Sequence, residues 1–170
     1  QAARDQARAA YEQALQVYGA DGRHARTLEV QNEYGRALAR VGELGEAVRL
    51  MQRGAELAPA VFGPQHVMVQ HFLGTLGALQ VDHGDVQEGL QSLLKASSAD
   101  LRDVKVSATY EASRHAATAR AYLANAQPAA ALPLLERSST LLASVQPRGT
   151  LHRQVDQEHA LAVALTGNAA

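Results

Sequence analysis

No cysteine occurs in the 170-residue chain, so disulfides, thiolate nucleophiles and zinc–thiolate centres are excluded. Tryptophan is also absent, and two Phe and five Tyr are too few aromatics to fill a thick core. Clusters of β-branched and aromatic residues, the usual mark of strands, are missing too. No apolar stretch approaches the roughly 18 residues that a membrane-spanning helix needs. The N-terminus lacks the basic-then-apolar pattern of a secretory leader. Neither sign of charge dominates: 16 basic and 17 acidic residues are spread with no long run of one kind. That spread argues against a nucleic-acid arm and a polybasic membrane patch. The expectation is an all-α, cytoplasmic protein without direct nucleic-acid or membrane contact. Enzyme signatures are lacking as well. No Gly-x-Gly-x-x-Gly, phosphate loop, His-Glu-x-x-His or Gly-x-Ser-x-Gly is present, so no catalytic residue, metal or cofactor is expected.

What the chain has in abundance is small residues at a fixed interval. Gly35, Ala47 and Gly54 recur 42 residues later as Gly77, Gly89 and Ala96, and again as Ala119, Ala131 and Ser138. Gly, Ala and Ser together make up about a third of the chain. Chance would fill all nine positions about once in 26,000 draws, or roughly once in 600 after allowing for 42 registers. Met51, Leu93 and Leu135 place a large apolar residue between the small ones in each set. Helix axes approach to about 8–10 Å only where the contacting side chains are small. The pattern therefore predicts stacked helix pairs instead of one globular core.

Apolar spacing predicts eight helices: 2–18, 25–41, 43–58, 65–81, 85–99, 103–124, 128–144 and 150–166. Gly42 and Gly84 should stop the second and fourth, and Pro59 should close the third. Asp85 with Glu88 forms a capping-box pattern, and Thr150 reads as an N-cap. Residues 59–64 read as an ordered turn. Pro133 falls inside the seventh helix, where it should kink the first two turns at a cost of up to about 3 kcal/mol.

In the light of these small positions, the chain resembles the tetratricopeptide repeat over about residues 2–166. Leu38 and Tyr122 match an apolar or aromatic site of that family, Gly42 and Gly84 its inter-helix turn, and Pro59 its late proline. The family's large aromatic early in the first helix is missing, with Gln31, Leu73 and His115 there instead. A period of 42 exceeds the family's usual 34 or so, and is similar to the longer repeats of kinesin light chains and bacterial signalling proteins. Gly63-Pro64-Gln65-His66 matches the Gly-x-x-His segment of that variety, and His24 stands 42 residues before His66. The resemblance implies an α-solenoid of antiparallel helix pairs with a right-handed superhelix, as one array over 1–170. Its repeat cores would be 24–59, 65–101 and 104–144. A partial repeat (2–18) precedes them, and a capping helix (150–166) comes after. Because 2–18 aligns with second helices, the chain is expected to begin inside a larger protein.

The same resemblance implies that first helices line a concave face. Carried over position by position, the candidate ligand-binding residues are Glu29, Asn32, Arg36, Arg40, His71, Asp82, Arg120 and Glu158. An Asn amide can pair with a peptide backbone and an Arg fork with a carboxylate. The bland alternative is that charged residues on helix faces are merely solvated. Seven His residues invite a metal reading, but His152 and His159 stand two turns, about 10.5 Å, apart and cannot share one ion, even with Asp156 between them. His24 and His66 read better as groups that cap or pack at helix starts.

The expected function is a non-catalytic interaction module that binds a peptide or partner protein, within a larger bacterial signalling or regulatory protein. A second reading is a regulatory domain, attached to a kinase or transcription regulator, whose curvature responds to a ligand. A third is weak self-association through the exposed ends or through Phe62 and Phe72.

Overall fold

The computed structural model describes residues 2–98, 106–145 and 147–167. These residues form eight helices and no strand. They are α1 (Ala2–Tyr18), α2 (Ala25–Arg40), α3 (Leu44–Phe62), α4 (Val67–His83), α5 (Val86–Ser97), α6 (Ala108–Ala124), α7 (Pro128–Leu142) and α8 (Thr150–Gly167). Each helix packs on the next in sequence. In addition α2, α4, α6 and α8 touch one another in succession, whereas α1, α3, α5 and α7 do not. The even-numbered helices are thus the tighter, inner layer of the array, and the odd-numbered helices splay outside it.

The nine recurring small residues are all buried at these crossings. Met51, Leu93 and Leu135, the knobs between them, have no exposed surface. The closest approach joins α4 to α5 through Gly77 and Gly89. A Cβ on Gly77 would lie 2.7 Å from the Gly89 carbonyl oxygen and 2.9 Å from the Leu93 nitrogen. A Cβ on Gly89 would meet the Gly77 carbonyl oxygen at 2.7 Å. Backbone rests on backbone there, and only glycine at both places allows it. Elsewhere the space is filled by side chains: Met51 occupies the room over Gly35, and Phe72 the room over Gly54. In the third set Ser138 turns its small size to a polar use, donating to the Ala112 carbonyl at 2.7 Å. The apolar residues collect in a large cluster from α1 to α4 around Leu28, Leu38, Met51 and Phe72 and a second from α6 to α8 around Leu135. A small group at Leu90, Leu93 and Ala121 lies between them. Such thin, successive interfaces are how a chain poor in aromatics buries itself.

Helix ends reflect local chemistry. His24 and His66 cap α2 and α4, their Nδ1 atoms accepting from the N–H groups of Arg26 (3.2 Å) and Met68 (3.1 Å). Each imidazole also stacks on an aromatic ring from the preceding helix, Tyr18 at 4.3 Å and Phe62 at 4.9 Å between centroids. Gly84 ends α4 in the left-handed region, where the absence of a Cβ removes the steric cost.

Four sequence expectations need correction. Pro59 does not close α3, which continues through it to Phe62. The proline forfeits a single backbone bond, while Val61 and Phe62 beyond it pack on the core, so the turn expected at 59–64 begins only after Phe62. Asp85 stands at the N-cap of α5 but makes no side-chain capping bond, because its carboxylate engages His83 at 3.0 Å. The sixth helix starts at Ala108, where Ser107 Oγ accepts from the Tyr110 N–H. Its expected start at 103 lies outside the described residues. Thr150 is the first helical residue of α8, not its cap. The helix accepts its first bond one residue earlier, with the Arg153 N–H donating to the Gly149 carbonyl at 3.4 Å. As for Pro133, α7 runs through it unbroken from Pro128 to Leu142.

Candidate functional site

The four inner helices converge on a groove of about 310 Å³. From α2 come Asn32 and Arg36, and from α4 His71, Gly74, Thr75 and Leu79. Tyr110, Arg114 and Arg120 enter from α6, and Leu151 and Gln154 from α8. Helical spacing explains the grouping: Asn32 and Arg36 are four residues apart, as are His71 and Thr75, so each pair shares one face. Gly74 and Ala78 deepen the floor because they offer little side-chain volume.

The groove is cationic. Three arginines line it, and no carboxylate does. Arg120 is compensated from the rim by Asp82 at 3.3 Å. Arg36 reaches Glu33 only at 3.6 Å, and both side chains are more than half exposed, a pairing that contributes little in water. Arg114 has no carboxylate within bridging distance among the described residues. Its guanidinium donates to the Ala96 carbonyl at 3.4 Å, and its Nε is buried without a partner. Asn32 is only 6% exposed, and its Oδ1 has no partner. A buried amide oxygen left unpaired costs about 1–3 kcal/mol, which a donor from a ligand would recover.

Two titrating groups are tuned by this setting. Burial holds His71 below its ordinary value, and the neighbouring Arg36 charge pushes in the same direction. Neutral His71 then packs at a tilt on the Tyr110 ring, 4.5 Å between centroids. Burial raises the Glu158 carboxyl, against the lowering effects of the Gln154 hydrogen bond and the Arg120 charge. Gln154 Nε2 donates to Glu158 at 2.9 Å.

Of the residues singled out from sequence, Asn32, Arg36, His71 and Arg120 are brought together in the groove. Asp82 and Glu158 flank it through Arg120. Glu29 and Arg40 stand outside it: Glu29 pairs with Arg26 at 3.0 Å, and Arg40 is exposed at the end of α2. Tyr110, Arg114 and Gln154 were missed. A signal for Arg114 existed, since it stands 42 residues after Phe72 and so puts a cation where the repeat has a buried ring. A larger hollow of about 540 Å³ on the outer layer is lined by Asp21, Arg23, Arg49, Arg53 and Glu56, where charges of both signs offset one another. His152 is occupied by its own backbone. Its Nδ1 accepts from the Gly149 N–H at 3.2 Å, leaving Nε2 to donate to the Leu142 carbonyl at 3.1 Å. Asp156 pairs with Arg148 at 2.8 Å.

Paired helices stacked in two layers, with small residues at the crossings, define an α-solenoid of the TPR-like repeat type. Among solved structures, two of a Podosopora anserina protein described as a kinesin light chain with nearly identical TPR-like repeats, one of them a point variant, share this fold. They superpose with TM-scores of 0.73 and 0.75 at 20% identity, over 97% of this chain and 78% and 77% of theirs. No family model and no curated protein matches the sequence. Among the described residues, no helix is long and apolar enough to cross a membrane.

Proposed function

We propose that the array is a non-catalytic protein-interaction module and that the groove along α2, α4, α6 and α8 holds an extended peptide bearing carboxylates. The observation that carries this reading is the cationic lining: Arg36 and Arg114 face a groove that supplies no acid of its own. Arginine forks bind carboxylates through paired, charge-assisted hydrogen bonds. The unpaired Asn32 amide oxygen would accept a peptide N–H. Rigid helices present these groups at little ordering cost. The module's setting in a cytoplasmic, bacterial signalling or regulatory protein belongs to the same proposal, supported by the alanine-rich, lysine-poor composition.

The test is selection from a displayed peptide library on the immobilised protein, followed by anisotropy titration of the enriched peptides. Peptides rich in Asp and Glu should be enriched. An Arg36→Glu/Arg114→Glu double variant with unchanged helicity should lose their binding by tenfold or more, about 1.4 kcal/mol. Equal binding to the double variant, or no enrichment, contradicts the reading.

A further inference from the structure

The arginines of the groove keep their charge at any working pH. His71 is a fourth basic group of the same wall, and its charge depends on what lies beside it. Charged and titratable groups reach it from few directions. Arg36 and Glu33 act on it from α2, and His66 from its own helix. On the α6 side Tyr110 touches the ring, and Arg114 lines the same groove. Helices α3 and α5 also pack on α4 but put no residue into the groove, and α8 brings Leu151 and Gln154. Glu33 is thus the one acid acting on His71. Its side chain is 62% exposed and already faces Arg36 at 3.6 Å, so water screens most of its influence.

The three arginines differ in what occupies them. Arg120 is paired with Asp82 at 3.3 Å, and Arg114 donates to the Ala96 carbonyl. Arg36 has only its loose, exposed pairing with Glu33 and is the fork most open to an incoming acid. A carboxylate seated on Arg36 would cancel the positive charge that opposes protonation of the imidazole. It would also set a negative charge against a half-buried ring, where an opposite charge favours the protonated form.

We infer that Arg36 and His71 form a subsite for a single carboxylate, and that the imidazole takes up a proton from solvent as the carboxylate is seated. The inference rests on the groove reading above and adds to it a coupling between binding and pH. The complex holds the proton more tightly than the free protein, so affinity rises as pH falls through the interval between the two values. Each unit by which the carboxylate raises the imidazole is worth about tenfold in affinity. Asp and Glu side chains of a peptide stay ionised above about pH 5, so their own titration does not mask the effect.

Calorimetric titration with end-blocked tetraglutamate at low salt, in buffers of different ionisation enthalpy, counts the protons exchanged on binding. Near pH 6.5 the wild type should take up a substantial fraction of a proton, and it should bind about fivefold or more tighter near pH 5.5 than near 7.5. His71→Gln, with unchanged helicity, should bind without proton uptake and with nearly equal affinity across that range. His115→Gln removes the other imidazole held low by burial and should keep the wild-type response. Arg36→Gln should weaken binding about tenfold, whereas unchanged affinity would place the carboxylate elsewhere. Binding without proton exchange, or uptake that survives His71→Gln, overturns the inference and leaves the groove reading standing. Failure to bind tetraglutamate at any of these pH values removes the groove reading and the subsite with it.

Discussion

Gly74 and Gly77 sit one turn apart on α4 and should respond in opposite directions to the same added methyl group. At Gly77 it would strike the backbone of α5, so Gly77→Ala should cost about 3 kcal/mol, at the upper end for an overpacked contact. At Gly74 the nearest atom outside the helix is 3.9 Å away, so Gly74→Ala should gain about 0.5–1 kcal/mol by restricting the unfolded chain. Urea denaturation of the two variants measures both signs. The small positions were legible in the sequence because packing selects for size, and size repeats with the fold. Tyr110 and Gln154 were not, because whether a polar side chain faces a groove depends on how one helix pair packs against the next. Titration adds a second test at this scale. His71 and His115 are both held below their ordinary 6.5, chiefly by burial. The unfolded chain therefore takes up protons first as pH falls, and stability should decline from about pH 6.5 downward, levelling once the folded-state values are passed. Glu158, raised above 4.5, acts in the other sense: its contribution weakens as pH rises from 4.5 to its folded value. Melting temperature against pH should show a shallower decline for His71→Gln than for the wild type.

At the scale of the element, helix existence was readable and helix ends were less so. Apolar periodicity spans several turns, whereas an end is decided by one or two hydrogen bonds. His66 illustrates an end that was read correctly: it combines a capping bond to the Met68 N–H with a stack on Phe62. His66→Ala should cost about 1 kcal/mol of stability, and His66→Asn should recover most of it, since asparagine caps as well. Equal losses for both variants would assign the effect to the stack instead of the cap. Pro59 illustrates an end read wrongly. A proline inside a helix is disfavoured by up to about 3 kcal/mol in isolation, but the turn beyond it buries Val61 and Phe62 partly on the α1–α4 core. Tertiary packing outweighed local propensity there.

For the whole molecule, the fold arises from closely packed helix pairs, and the interaction reading from how those pairs curve. Contacts among α2, α4, α6 and α8 draw one layer inward and gather side chains separated by more than a hundred residues, from Asn32 to Gln154, around one groove. Four of the eight residues singled out from sequence line this groove, while Glu29 pairs with Arg26 and Arg40 is exposed at the end of α2. The most direct measurement is amide hydrogen exchange of the protein with and without a saturating, library-selected acidic peptide. The account predicts slowed exchange within 67–83 and 108–124, the α4 and α6 walls of the groove, and little change in α3, α5 and α7. Protection concentrated on those outer helices, with α4 and α6 unaffected, would contradict it.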